Sequence, residues 1–146
     1  PLGKAVKLRT GKSVAILLFG SLLAQAQSAA DELDATLVNM RFVKPLDKTM
    51  VRELAQTHDL LVTLEDNAVM GGAGSAVNEY LHEAGLNIEV INLGLPDSYI
   101  DHAQREEQLA ACGLDSASIV QRIHAGYGGR NRIGLTLCPV PQYMAK

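Results

Sequence analysis

Two stretches of the chain carry the side chains best suited to chemistry. One runs from the carboxylates Glu65 and Asp66 and the amide Asn67 to the glycines Gly71, Gly72 and Gly74; the other holds Asp97, Asp101 and His102. A carboxylate near an imidazole can move protons. Glycine-rich backbone opening a helix presents free N–H groups, and the positive end of the helix dipole, to an anion. The glycines do not spell a dinucleotide fingerprint: counting from Gly72, Val77 stands where G-x-G-x-x-G needs its third glycine. Glycine serves close packing as readily as anion binding, and packing is the simpler of the two roles. Gly11-Lys12-Ser13 imitates the end of a phosphate loop, yet the required earlier glycine falls at Val6, and the tripeptide precedes a strand instead of following one. His58, His82, His102 and His124 form no H-x-x-x-H pair, and Cys112 and Cys138 form no C-x-x-C, so no metal site is expected. Ser75 stands in no G-x-S-x-G and is not a nucleophile-elbow serine.

The elements that must position these groups are readable from hydrophobic periodicity. Residues 14–19 are uninterruptedly apolar, the mark of a strand covered on both faces. Gly20-Ser21 breaks the run, and Ser21 is placed to cap a helix whose apolar face is Leu22, Leu23, Ala26, Ala29, Ala30 and Leu33. With Lys4, Lys7, Arg9 and Lys12 ahead of it and Ala24-Gln25-Ala26 behind, the run also imitates a secretory leader. A cleaved leader has no reason to continue a helical face past its cut, which favours strand and helix. The alternation then repeats. Residues 35–40 read as a strand, and Asp47 caps a helix with the stripe Met50, Val51, Leu54 and Ala55. Residues 60–64 read as another strand, ending at the acidic triplet. The helix opened by the glycines buries Ala76, Val77, Tyr80, Leu81 and Ala84 and stops at Gly85. Residues 88–92 form a further strand, followed by helices around 104–111 and 116–124, while residues 4–9 add an edge strand. Such alternation predicts a mostly parallel sheet with helices on both faces and right-handed crossovers. Functional groups of open α/β sheets gather in loops beyond the C-terminal strand ends, where this reading puts Glu65, Asp66, Asp97, Asp101 and His102.

Composition sets the outer limits. A chain of 146 residues with 47% apolar and 20% charged side chains suits one domain with a core that needs neither disulfide nor metal. Thirteen Lys and Arg against sixteen Asp and Glu leave a net charge of −3, and with two Phe, four Tyr and no Trp this argues against a nucleic-acid partner. No apolar stretch approaches the ~20 residues of a membrane span. Two cysteines fit reduced thiols in a cytoplasmic protein. The domain is expected over residues 1–125. Residues 126–146 carry Arg130, Arg132 and Lys146 with no acid, and glycines and prolines punctuate them too often for a regular element. They read as an irregular tail, disordered or docked on a partner, rather than as a basic arm with a purpose.

Three loop segments are more distinctive than the strands. The first is Met40-Arg41-Phe42-Val43-Lys44-Pro45-Leu46-Asp47. The second runs from Glu65-Asp66-Asn67 through Gly71-Gly72-Ala73-Gly74 to Glu79. The third runs from Asn92 through Gly94-Leu95-Pro96-Asp97 to Asp101-His102, with Gly113-Leu114-Asp115 following. In this order, over about residues 10–125, they resemble the C-terminal domain of the bacterial 1-deoxy-D-xylulose-5-phosphate synthases, members of the transketolase family. The resemblance implies a three-layer α/β/α sandwich around a five-stranded, mixed but mostly parallel sheet. It also implies a parent transferase that decarboxylates pyruvate and joins the two-carbon unit to glyceraldehyde 3-phosphate, feeding isoprenoid, thiamin and pyridoxal synthesis.

In that family thiamin diphosphate and Mg²⁺ lie in the two preceding domains. No G-D-G…N motif occurs here, so no cofactor is expected on this fragment, no catalytic residue is carried over, and the fragment alone is expected to be inactive. The implied partners are the preceding domains of the same chain and a second subunit of a homodimer. Glu65, Asn67, Gly71, Gly72, Gly74, Asp97 and His102 are the candidate interface or regulatory-anion residues. Ala103 stands where relatives commonly carry glycine, and residues 126–146 have no counterpart in the family. Two alternatives stay open: a partner-docking C-terminal domain of a 2-oxo-acid dehydrogenase beta subunit, and a stand-alone anion- or regulatory-ligand-binding module.

Overall fold

A computed structural model describes residues 2–68, 72–95 and 105–127, and across them strands and helices alternate as the hydrophobic pattern predicts. In chain order the elements are β1 (Val6–Arg9), β2 (Val14–Phe19), α1 (Leu23–Leu33), β3 (Thr36–Asn39), α2 (Lys48–Thr57), β4 (Leu60–Ala68), α3 (Ala73–Glu83), β5 (Glu89–Leu95), α4 (Arg105–Ala111) and α5 (Ser116–Tyr127). The sheet runs β1-β3-β2-β4-β5. β2 pairs in parallel with β3 and β4, β5 in parallel with β4, and β1 antiparallel to β3. The result is the expected five-stranded mixed sheet.

The central place of β2 explains its composition. All six of its residues are buried, and strand alternation sends them to two separate cores. Val14, Ile16 and Leu18 join Leu37, Val62 and Leu64 under α1 and α5. Ala15, Leu17 and Phe19 join Val38, Val51, Leu54, Val77 and Leu81 under α2 and α3. Helices therefore cover both faces, completing the α/β/α sandwich. Local signals worked where their partners were local. Asp47 accepts the Met50 N–H at 3.1 Å and caps α2, and Gly85 ends α3 with φ +67°. No helix among the described residues is long and apolar enough to cross a membrane.

Three departures from the sequence pattern stand out, besides the extension of β5 to Leu95. First, Ser21 does not cap α1: Leu22 occupies the cap position without a side-chain bond. The Ser21 hydroxyl and N–H instead donate to Asp66 Oδ2 at 2.5 and 3.1 Å, charge-assisted bonds that hold Ser21 one residue ahead of the cap position. Leu23, expected on the apolar face, is exposed. Second, β4 does not stop before the acidic triplet but continues to Ala68, pairing Glu65 with Phe19 of β2. Glu65 and Asp66 are thus strand residues, not loop residues. Third, α5 extends two residues past 125. Tyr127 is buried and its hydroxyl donates to Asp59 at 3.1 Å, while at Gly126 the Ile91 side chain leaves no room for a Cβ. That glycine is a packing residue instead of a helix breaker. Residues 128–146, and with them most of the expected tail, lie outside the described residues.

Candidate functional site

Extension of β4 carries the Glu65 side chain into the interior, where it is 2% exposed. The start of α3 faces this side chain. Gly72 sits in extended conformation at the cap position (φ −85°, ψ −164°), and the Gly74 N–H donates to Glu65 Oε2 at 3.1 Å. The Ala73 N–H adds a second contact to the same carboxylate. These are the amides that a helix start leaves without an intrahelical partner. The anion at this helix start is therefore the chain's own, supplied from the neighbouring strand.

The carboxylate is only half satisfied. Its Oε1 is buried and has no hydrogen-bond partner among the described residues. Burial pushes the Glu65 pKa upward, the Gly74 and Ala73 N–H groups oppose that rise, and the nearby charge of Asp66 adds to it. Chemically, the arrangement is an electrostatic latch joining β4 to α3.

Glycine at position 74 has a steric cause. A Cβ there would lie 2.7 Å from both Thr63 Oγ1 and Asn92 Oδ1, two groups already hydrogen-bonded to each other at 2.6 Å across β4 and β5. On the other side of the latch, Gly20 holds φ +104° and packs against the Asp66 carboxylate, which a Cβ would strike. Asp66 thereby ties the end of β2 to β4 through Ser21.

The structure brings Glu65, Gly72 and Gly74 together as one unit. Gly71, Asp97 and His102, with Asp101, lie outside the described residues, as does the side chain of Asn67. Sequence reasoning missed the Thr63–Asn92 pair and the turn of Ser21 toward Asp66. A glycine directly after a fully buried strand, Gly20, was the available signal for the second. A cavity of about 260 Å³ lies elsewhere, lined by Ser13, Leu33, Ile123 and His124 among others, and does not join this cluster. No group of three or more His, Cys, Asp or Glu among the described residues is arranged to hold a metal ion.

Comparison with known proteins adds an independent line. The family model for the transketolase C-terminal domain matches residues 3–119. Over 122 residues the chain is 57% identical to the 1-deoxy-D-xylulose-5-phosphate synthase of Pseudomonas aeruginosa strain LESB58, a match covering 84% of this chain and 20% of that protein. The synthase of Pectobacterium atrosepticum is 57% identical over 123 residues, with the same 84% and 20% coverage. Among solved structures, a split-gene transketolase described as an inactive beta4 tetramer superposes with a TM-score of 0.80 at 30% identity, over 88% of this chain and 44% of that one. The chain spans about one fifth of the length of the curated relatives it matches.

Proposed function

Because the chain belongs to the family of transketolase C-terminal domains, we propose that it is the C-terminal domain of a 1-deoxy-D-xylulose-5-phosphate synthase. The parent enzyme is a cytoplasmic homodimer that condenses pyruvate with glyceraldehyde 3-phosphate and releases CO₂. The domain holds the catalytic domains in register. Identity of 57% to two synthases supports the parent activity.

One structural observation carries the domain's own role: its only glycine-rich helix start among the described residues is occupied from within by Glu65. The residues here do not fit thiamin diphosphate. A diphosphate at the start of α3 would have to displace the Glu65 carboxylate from the Gly74 and Ala73 amides, with the Asp66 carboxylate close by, and like charges in a buried site repel strongly. No step of the reaction is therefore assigned to this domain. Its contribution is positional, and position matters: displacement of reacting groups by about 1 Å can lower a rate ~10²-fold.

Calorimetry tests this reading. Thiamin diphosphate with Mg²⁺, titrated into the 146-residue chain, should give no specific binding heat; micromolar affinity would overturn it. The parent polypeptide should turn over pyruvate and glyceraldehyde 3-phosphate, and this chain alone should not. Neither a 2-oxo-acid dehydrogenase subunit nor an independent anion binder is favoured by any observation.

A further inference from the structure

Five large apolar side chains are exposed among the described residues, and four of them, Leu2, Val6, Leu8 and Val43, lie at or beside one edge of the sheet. The segment before β1 and the loop after β3 are physically joined there. Gly3 packs so closely on Pro45 that a Cβ would sit 2.7 Å from its ring, and the Ala5 N–H donates to Asp47 at 2.9 Å. Single apolar residues on a surface need no explanation; a cluster at one edge does.

The same loop carries backbone strain. Arg41 holds φ +64°, in the left-handed region that non-glycine residues rarely adopt. Its N–H donates to Asn39 Oδ1 at 3.1 Å, and the Phe42 N–H donates to the Met40 carbonyl at 2.7 Å. This turn sets the Arg41 guanidinium over the Phe42 ring, 5.4 Å from its centroid. Lys7 pairs with Glu53 at 2.8 Å, but no described carboxylate pairs with Arg41 or Lys44. The edge thus combines exposed apolar groups with cations awaiting a counter-charge. Strand addition is the wrong way to cover it: Leu8 is the extra residue at a register irregularity between Lys7 and Arg9, and a bulged edge is a poor template.

We propose that β1 and the loop of residues 41–45 form the face on which the remainder of the parent polypeptide docks, through an apolar surface that carries a carboxylate opposite Arg41 and Lys44. This rests on the reading of the chain as one domain of a longer synthase. The occupant follows from length and charge. The matched relatives hold about four fifths of their residues outside this stretch, and an apolar face whose cations meet no described carboxylate calls for an apolar face with an acid.

Hydrogen–deuterium exchange on the parent polypeptide and on the 146-residue chain tests the proposal. Amides of residues 2–8 and 41–44 should exchange at least about tenfold more slowly in the parent, while the turn at Gly85, beyond the far edge of the sheet, stays unchanged. Equal exchange at this edge in both proteins overturns the proposal. A Val6→Glu, Arg41→Glu double variant should shift the melting of the chain alone by no more than about 2 °C, yet uncouple this domain's melting from the rest of the parent. Unchanged coupling overturns the proposal. So does a dimer of the chain alone that Val6→Glu dissociates, since the occupant is then a second copy. Activity of the parent is read separately: protection of this edge in a parent that makes no deoxyxylulose phosphate supports the docking face and overturns only the functional reading.

Discussion

The two ends of the central strands solve the problem of buried polar groups in opposite ways. At the N-terminal end the Gly11 N–H donates to Thr36 Oγ1 at 3.0 Å, and Thr36 Oγ1 lies 2.8 Å from His58 Nε2. The other ring nitrogen of His58 lies 3.2 Å from the Leu54 carbonyl. That pattern assigns the ring proton to Nδ1, leaving Nε2 to accept from the threonine hydroxyl. Burial lowers the His58 pKa; the Leu54 carbonyl opposes the change and the charge of Lys7 reinforces it. The network is neutral and closed. At the C-terminal end Glu65 keeps one oxygen without a partner among the described residues and sits beside Asp66. A closed neutral network gives rigidity, whereas an under-satisfied carboxylate is costly to bury and is retained where it fixes something else, here the start of α3.

If that contrast is right, the largest effect comes from the closed end. Gly11→Ala would drive a Cβ into the backbone of Asp34 and Ala35, which cannot yield without breaking the bond from the Lys12 N–H to the Asp34 carbonyl. A loss of about 3 kcal/mol or more is expected from urea unfolding, at the upper end for overpacking. Glu65→Ala should follow, at about 2 kcal/mol, because it strips the acceptor from two helix-start amides. Gly74→Ala should be milder, about 1.5 kcal/mol, since its Cβ meets side chains rather than backbone: a stiff, buried threonine hydroxyl and an amide tip whose mutual hydrogen bond must give way. A Gly74→Ala variant less stable than Gly11→Ala would reverse the assignment of the rigid end.

The same contrast explains what the sequence reveals. β2 is legible because six consecutive apolar residues admit few other readings. Asp47 and Gly85 are legible because cap and partner lie within four residues of each other. Glu65, Gly72 and Gly74 were legible as a group, but not the direction of their interaction. Sequence pattern treats a carboxylate as surface, and only the return of the chain nine residues later shows that backbone amides compensate its burial. Ser21 misled for a related reason, its acceptor being 45 residues away. Tyr127, whose partner Asp59 is 68 residues away, hid a helical turn behind glycines that read as loop.

The smallest effect, and the finest test of the contrast, is in pH dependence. Glu65 has a raised pKa in the folded state, so its contribution to stability is fullest below the ordinary carboxylate range and is lost as pH rises through the folded value. His58 has a lowered pKa, so its contribution is present above the ordinary imidazole value and is lost as pH falls through the folded value. Raising the pH therefore strains the C-terminal end and relieves the N-terminal end. Glu65→Gln keeps the shape and an acceptor for the amides but cannot ionise. Its urea midpoint relative to the native chain should climb as pH rises from about 4 toward neutrality, by less than any of the three substitutions above. His58→Gln should show the opposite trend, losing least against the native chain on the acid side. Parallel profiles for Glu65→Gln and the native chain would mean that Glu65 titrates as an ordinary surface acid, and the latch at the start of α3 would then have to be held by the glycines and their packing alone.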